Sequence, residues 1–166
     1  MFDKFGEFDS AEELNAAAKG FLDEGDYQSL KALAKENGLD KEDAEDYING
    51  IIPELASTSA AAIGRMDVQQ EKLIDTKKNQ VERMPLQVIM TMLRGMCTSE
   101  EMAAAVMKKG KRFSDIYDAM TKEAKKHASG NMGIACGTDR ELCEIIKAYY
   151  LETDSAFRKK LSDLYQ

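Results

Sequence analysis

The soft and reactive side chains of this chain are few: one histidine, His127, and three cysteines, Cys97, Cys136 and Cys143. A structural zinc site draws on cysteines or histidines paired two to four residues apart. Cys136 and Cys143 straddle a predicted helix start at a wider spacing, and nothing else is paired, so no metal is expected. Free thiols in a reducing compartment are the simple reading. Nucleophilic catalysis needs a base beside a serine or cysteine. The lone histidine ends a lysine-rich helix, and no G-x-S-x-G elbow occurs. Carboxylate pairs are too numerous to select anything. The residues therefore read as those of a non-enzyme without a cofactor.

The glycines invite a phosphate-binding reading and then refuse it. Gly133-Ile-Ala-Cys-Gly137-Thr138 has neither the spacing nor the lysine of a Walker loop, and it follows a helix instead of a strand. It reads as a tight turn between helices. The acidic run DKEDAED lacks the central glycine and alternating ligands of a calcium loop, and its acids follow a helical pattern.

Charge is the stronger signal. Residues 1–60 hold 15 acids and 5 bases, whereas residues 61–166 hold 15 acids and 18 bases. Such asymmetry concerns partners more than fold. An acidic end repels nucleic acid and attracts basic surfaces, which makes Asp23, Glu24, Asp26, Glu42, Asp43, Glu45 and Asp46 the candidate partner-binding residues. A solvated face kept soluble by its charge is the bland alternative. The bases Lys108, Lys109, Lys111, Arg112, Lys122, Lys125 and Lys126 suit either phosphate contact or attraction to the acidic segment, within the chain or between copies. They lack the aromatic interleaving of single-strand binders, so direct nucleic-acid binding is the weaker expectation.

These groups must be carried by helices. Ser10-Ala-Glu-Glu13 has the form of a capping box opening a helix over about 11–22. Asp26 caps a second helix that Asn37-Gly38 ends, and Asp40 caps a third. Residues 53–83 read as one long helix, or two with a break near Gly64, and as a polar connector. Pro85 starts the most apolar helix, with Val88, Ile89, Met92, Leu93 and Met96 inward. Thr98 or Ser99, and Ser114 or Asp115, cap two further helices. Thr138-Asp-Arg-Glu141 is a second capping box, with Leu142, Ile145, Ile146 and Tyr149 inward. A last helix begins near Ser155, and Met132 to Ala135 is the one short extended piece.

The expected fold is all-α: a compact helical bundle of about seven to eight helices with an acidic N-terminal segment. The expected division is an acidic segment over 1–52, a connecting helix over 53–84 and a helical core over 85–166. No apolar run approaches the roughly 18 residues of a membrane span, and the acidic start MFDKFGEFDS does not read as a secretory signal. Six of the ten methionines fall between Met84 and Met107. They read as core filling, with an adaptable interface, as in an oligomeric scaffold or homodimer, as the other use of such residues.

Residues 100–154 carry a resemblance. Lys111 with Phe113, Ile116-Tyr117, Ala124-Lys125-Lys126, Asp139 with Glu141-Leu142, and Tyr149-Tyr150 with Glu152 and Asp154 follow one another as in PcfK-like proteins of conjugative plasmids and related mobile elements of Gram-positive bacteria. Ala148 and Leu151 depart from the family's usual His and Asp. The family includes anti-CRISPR inhibitors of Cas9. The resemblance therefore implies a mobile-element protein of the bacterial host cytoplasm that binds and inhibits a CRISPR effector nuclease. Such nucleases hold nucleic acid in positively charged channels, which an acidic helical surface complements, with steering that weakens in salt. A conjugation or replication accessory protein, binding DNA or a relaxosome component through the basic helices, is the alternative.

Overall fold

The computed structural model describes residues 2–76, 80–127 and 137–165. Among these the protein is all-α, with nine helices and no strand: α1 Ala11–Glu24, α2 Tyr27–Glu36, α3 Lys41–Ile48, α4 Thr58–Thr76, α5 Gln80–Met96, α6 Glu100–Val106, α7 Phe113–Lys126, α8 Asp139–Leu151 and α9 Asp154–Leu164. The expected extended piece at Met132–Ala135 and the glycine turn before Cys136 lie outside the described residues.

The chain forms two units that interleave along the sequence. The first comprises Met1–Lys78 and Met96–Gly110, the second Asn79–Gly95 and Lys111–Gln166. This division differs from the expected boundaries at 52 and 84. Residues 96–110, expected in the C-terminal core, belong to the first unit because α6 packs against α4.

In the first unit, α1 packs on α2 and α4, and α2 on α3. Leu14, Leu30, Leu33, Met66, Met102 and Val106 are buried, and a fully buried side chain of this size contributes roughly 1.5–3 kcal/mol. Local chemistry sets the helix ends. Ser10 accepts from the Glu13 N–H at 3.2 Å, while the Glu13 carboxylate reaches the Asp9 N–H at 2.8 Å, one residue before the expected partner. Asp26 accepts from the Ser29 N–H at 3.0 Å. Asp40 and Ser99 stand at N-cap positions without a side-chain capping bond. Asn15 exchanges two hydrogen bonds with the Ala56 backbone, at 2.8 and 3.1 Å, tying α1 to the segment before α4.

Helix α4 corrects two expectations. It spans Thr58–Thr76 instead of residues 53–83, and of the two alternatives at Gly64 it takes the unbroken one. Nor is it a polar spacer, since Ala61, Ala62, Arg65, Met66 and Gln69 are buried. Gly64 is there for contact: a Cβ on it would lie 2.3 Å from the Asn37 carbonyl oxygen. Gly38, at φ +69°, faces it in the same way, so the end of α2 meets α4 backbone to backbone.

In the second unit, α7, α8 and α9 pack on one another around Phe113, Ile116, Leu142, Ile145, Ile146, Phe157 and Leu161. Pro85 lies inside α5 instead of starting it, which forgoes one intrahelical bond because proline has no N–H to donate. On α5, Leu86, Ile89, Met90 and Leu93 are buried, but Met84 is 62% and Val88 45% exposed. Val88 is therefore not a core residue, and Met84 is not core filling. Helix α7 begins at Phe113, with Arg112 in place of Ser114 or Asp115 at the N-cap. The Thr138–Glu141 capping box is complete.

Candidate binding surface

The seven candidate acids divide by role. Asp23 is paired with Lys19 at 2.7 Å across one turn of α1. Asp26 is the α2 N-cap, and the Ser29 N–H holds its carboxyl below the usual range. Glu45 is paired with Lys31 and Lys41, both at 3.1 Å, which depress its pKa in that order. Glu24, Glu42, Asp43 and Asp46 have no hydrogen bond or ion pair from their side chains among the described residues. They stand at separate helix ends, Asp46 in the last turn of α3. Glu24 ends α1, before the N-terminus of α2, whereas Glu42 and Asp43 open α3, after its C-terminus. The ten residues of α2 span about 15 Å. Together with their neighbours they belong to a unit holding 20 acids and 11 bases, net −9; the second unit holds 10 acids and 12 bases, net +2.

The basic cluster is equally divided. Lys108 is paired with Asp9 at 3.0 Å, and Lys109 with Glu13 at 3.5 Å. The Lys109 N–H also donates to Asp9 at 3.0 Å, and this bond, followed by Lys108, holds the Asp9 carboxyl low. For these two lysines the attraction to the acidic N-terminal segment is intramolecular. Lys111 is committed in the second unit: its ammonium donates to the Tyr149 carbonyl at 2.7 Å and stands 4.4 Å over that residue's ring. Lys122, Lys126 and Arg158 open on one groove of about 240 Å³ between α7 and α9, although Glu123 and Asp154 pair with the latter two at 2.6 Å each.

Two centres hold these surfaces in place. In the first unit, Arg65 is 1% exposed. Its guanidinium donates to the carbonyls of Met107 and Phe8, stands 3.4 Å from Glu7, and lies 5.6 Å from the Phe2 ring. It binds the N-terminal segment to the end of α6. Sequence reasoning missed it, although one signal was present: Arg65 is the only charge between Leu55 and Met66. In the second unit, the Tyr149 hydroxyl donates to Asp115 at 2.8 Å and accepts from the Arg112 N–H at 3.2 Å. Its ring packs edge-on against Tyr150 and Phe157. Burial pushes its pKa well up, with a smaller upward contribution from Asp115. Lys111 and Tyr149 thus meet in a packing centre.

The sparse reactive groups are dispersed. His127 stands 3.6 Å from Glu123 and stacks on Tyr165. Cys97 is buried and Cys143 half-buried, while Cys136 lies outside the described residues. Among the described residues no group of three or more His, Cys, Asp or Glu side chains is placed to hold a metal ion, and no helix is long and apolar enough to cross a membrane. Comparison with known proteins matches no family model to this chain and finds no similar curated protein and no similar solved structure.

Proposed function

We propose that this chain is a non-enzymatic binding protein whose acidic unit engages a basic surface on a partner protein. The observation that carries the reading is the set of four acids, Glu24, Glu42, Asp43 and Asp46, whose side chains have no partner among the described residues, on a helical unit of net −9. Charge left unpaired on a surface raises encounter rates with an oppositely charged partner and is screened by salt. The PcfK-like resemblance makes a Cas9-type CRISPR nuclease the first partner to test, as an anti-CRISPR target in the cytoplasm of a bacterial host. A plasmid-interference assay against a panel of such nucleases, paired with co-purification, tests this directly. The four-fold variant Glu24→Lys, Glu42→Lys, Asp43→Lys, Asp46→Lys, shown to be folded by circular dichroism, is expected to lose protection and co-purification together. Protection without co-purification, or inhibition untouched by the charge reversal, sinks the reading.

A second reading, contact with DNA as a conjugation or replication accessory protein, draws on the groove between α7 and α9 with Lys122, Lys126 and Arg158 at its wall. A gel shift at two salt concentrations separates the two, since phosphate contacts weaken steeply as salt rises.

A further inference from the structure

The α5 face that the structure leaves bare has the form of a self-complementary contact. Met84 and Val88, one turn apart and 62% and 45% exposed, stand out from the helix. Beside them opens an apolar groove of about 240 Å³, lined by Met84, Pro85, Val88, Ile89, Tyr117, Met120 and Leu142. Thr91 continues the exposed stripe. The helix is uncharged from Met84 to Leu93, ten residues in a row. We propose that this face is a docking surface for a second copy of the chain, with Met84 and Val88 of each copy seated in the groove of the other.

Charge decides for a second copy as the occupant. A two-fold contact places a single patch against itself, so residue i meets j and j meets i. Any charge at its centre would meet its own kind, which the uncharged stretch avoids. The first unit, at net −9, would repel its copy, whereas the second unit is close to neutral at +2. The charges that adjoin the groove residues in sequence are of both signs: Arg83 before Met84, Asp118 after Tyr117, and Glu141 before Leu142. That mixture suits a rim that pairs with itself. Knob and hole also adjoin on one face, as mutual insertion requires. Valine is stiff and needs little reordering to fill such a groove, and methionine packs adaptably.

A helix face three turns long lies at the small end of stable interfaces, below about 1,200 Å² in total. The pair should therefore be weak, with dissociation in the micromolar range. Sedimentation equilibrium on the full chain, from about 1 µM to about 1 mM, brackets that affinity. The expected result is a monomer–dimer equilibrium. Val88→Glu and Met84→Glu should each weaken it at least tenfold, while Ile51→Glu, at a 67% exposed apolar residue of the first unit, leaves it unchanged. Circular dichroism melts verify folding, and Thr91→Lys takes the place of either α5 variant that does not fold. A monomer throughout the range overturns the proposal. So does a dimer indifferent to every α5 variant, or one that Ile51→Glu disrupts as strongly as Val88→Glu.

Discussion

The two units solve the same problem, fixing short helices to one another, with opposite chemistry. The first is organised around a buried charge. Arg65 reaches two main-chain carbonyls and Glu7, and Asp9 and Glu13 fasten the neighbouring lysines from the same N-terminal segment. The second is organised around a half-buried aromatic hydroxyl, with Tyr149 joining α8 to the start of α7 and resting on Tyr150 and Phe157. A centre held by ions ties a unit to the protonation state of its carboxylates. A centre held by a phenol depends on a single carboxylate, Asp115, and on the phenol's own proton. The difference also explains why so much acid in the first unit is unavailable to a partner: part of it is structural.

The sharpest way to break the contrast is to remove Arg65. Arg65→Ala deletes both carbonyl contacts and leaves Glu7 without its buried partner, and breaking a buried charge pair costs about 3–5 kcal/mol. Hydrogen exchange should rise first at the N–H groups of Lys109 and Gly110, which donate to Asp9 and Glu7, while the amides of α8 keep their protection. Equal loss of protection in α8 would show that the two centres are not independent.

Gly64→Ala comes next. The new Cβ would fall 2.3 Å from a main-chain oxygen, where no side-chain rotation relieves it. Overpacking of this kind costs typically 1–3 kcal/mol, read as a lower urea midpoint with an unchanged slope. Gly20→Ala, with open space around its Cβ, serves as the control and should be neutral or stabilising, because alanine is the better helix former.

Gly64 also shows where the sequence was legible and where it was not. Periodicity and caps located the helices, because spacing and short-range hydrogen bonds are local properties: Ser10, Asp26 and Thr138 all cap as their neighbours suggest. A glycine inside a helix reads locally as a weak point, whereas here it is a crossing with a residue twenty-six positions away. Arg65 failed to announce itself for the same reason, since both its acceptors are main-chain groups distant in sequence. Val88 sits in helical register with the core, and only tertiary packing leaves it outside. The acids were legible as a charge but not as roles. Nothing in the run from Asp40 to Asp46 distinguishes Glu45, held by two lysines, from Glu42, which has none among the described residues.

Tyr149→Phe has a smaller expected effect, about 1–2 kcal/mol, since it removes one hydroxyl that bridges Asp115 and the Arg112 N–H. Titration sharpens the comparison further. The Tyr149 pKa is raised on folding, so its contribution is complete below the unfolded value near 10 and is lost as pH rises through the folded one. Asp9, Glu13, Asp26 and Glu45 are depressed, so theirs is present above about pH 4 and is lost as pH falls through the lower folded values. Local exchange should open the first unit on acidification, with less loss in the second, where Glu123 and Glu141 are the carboxylates shifted in the same direction. Above pH 10 the order reverses, and Tyr149→Phe removes the alkaline phase in the second unit.

The smallest stability effect carries the most functional information. Glu24 is the last residue of α1, and Asp46 stands in the last turn of α3. Both are negative charges at the negative end of a helix dipole. Glu24→Lys with Asp46→Lys should therefore stabilise the fold by a few tenths of a kcal/mol each, because a cation suits that position. Glu42→Lys with Asp43→Lys alters acids in the first turn of α3, which oppose the dipole favourably, and should cost a similar amount. Each pair moves the first unit from −9 to −5. If the acidic surface recruits a basic partner, both pairs weaken its binding in the same direction, although their melting temperatures move in opposite ones. A binding loss confined to the destabilised pair would mean that folding, and not charge, sets the affinity.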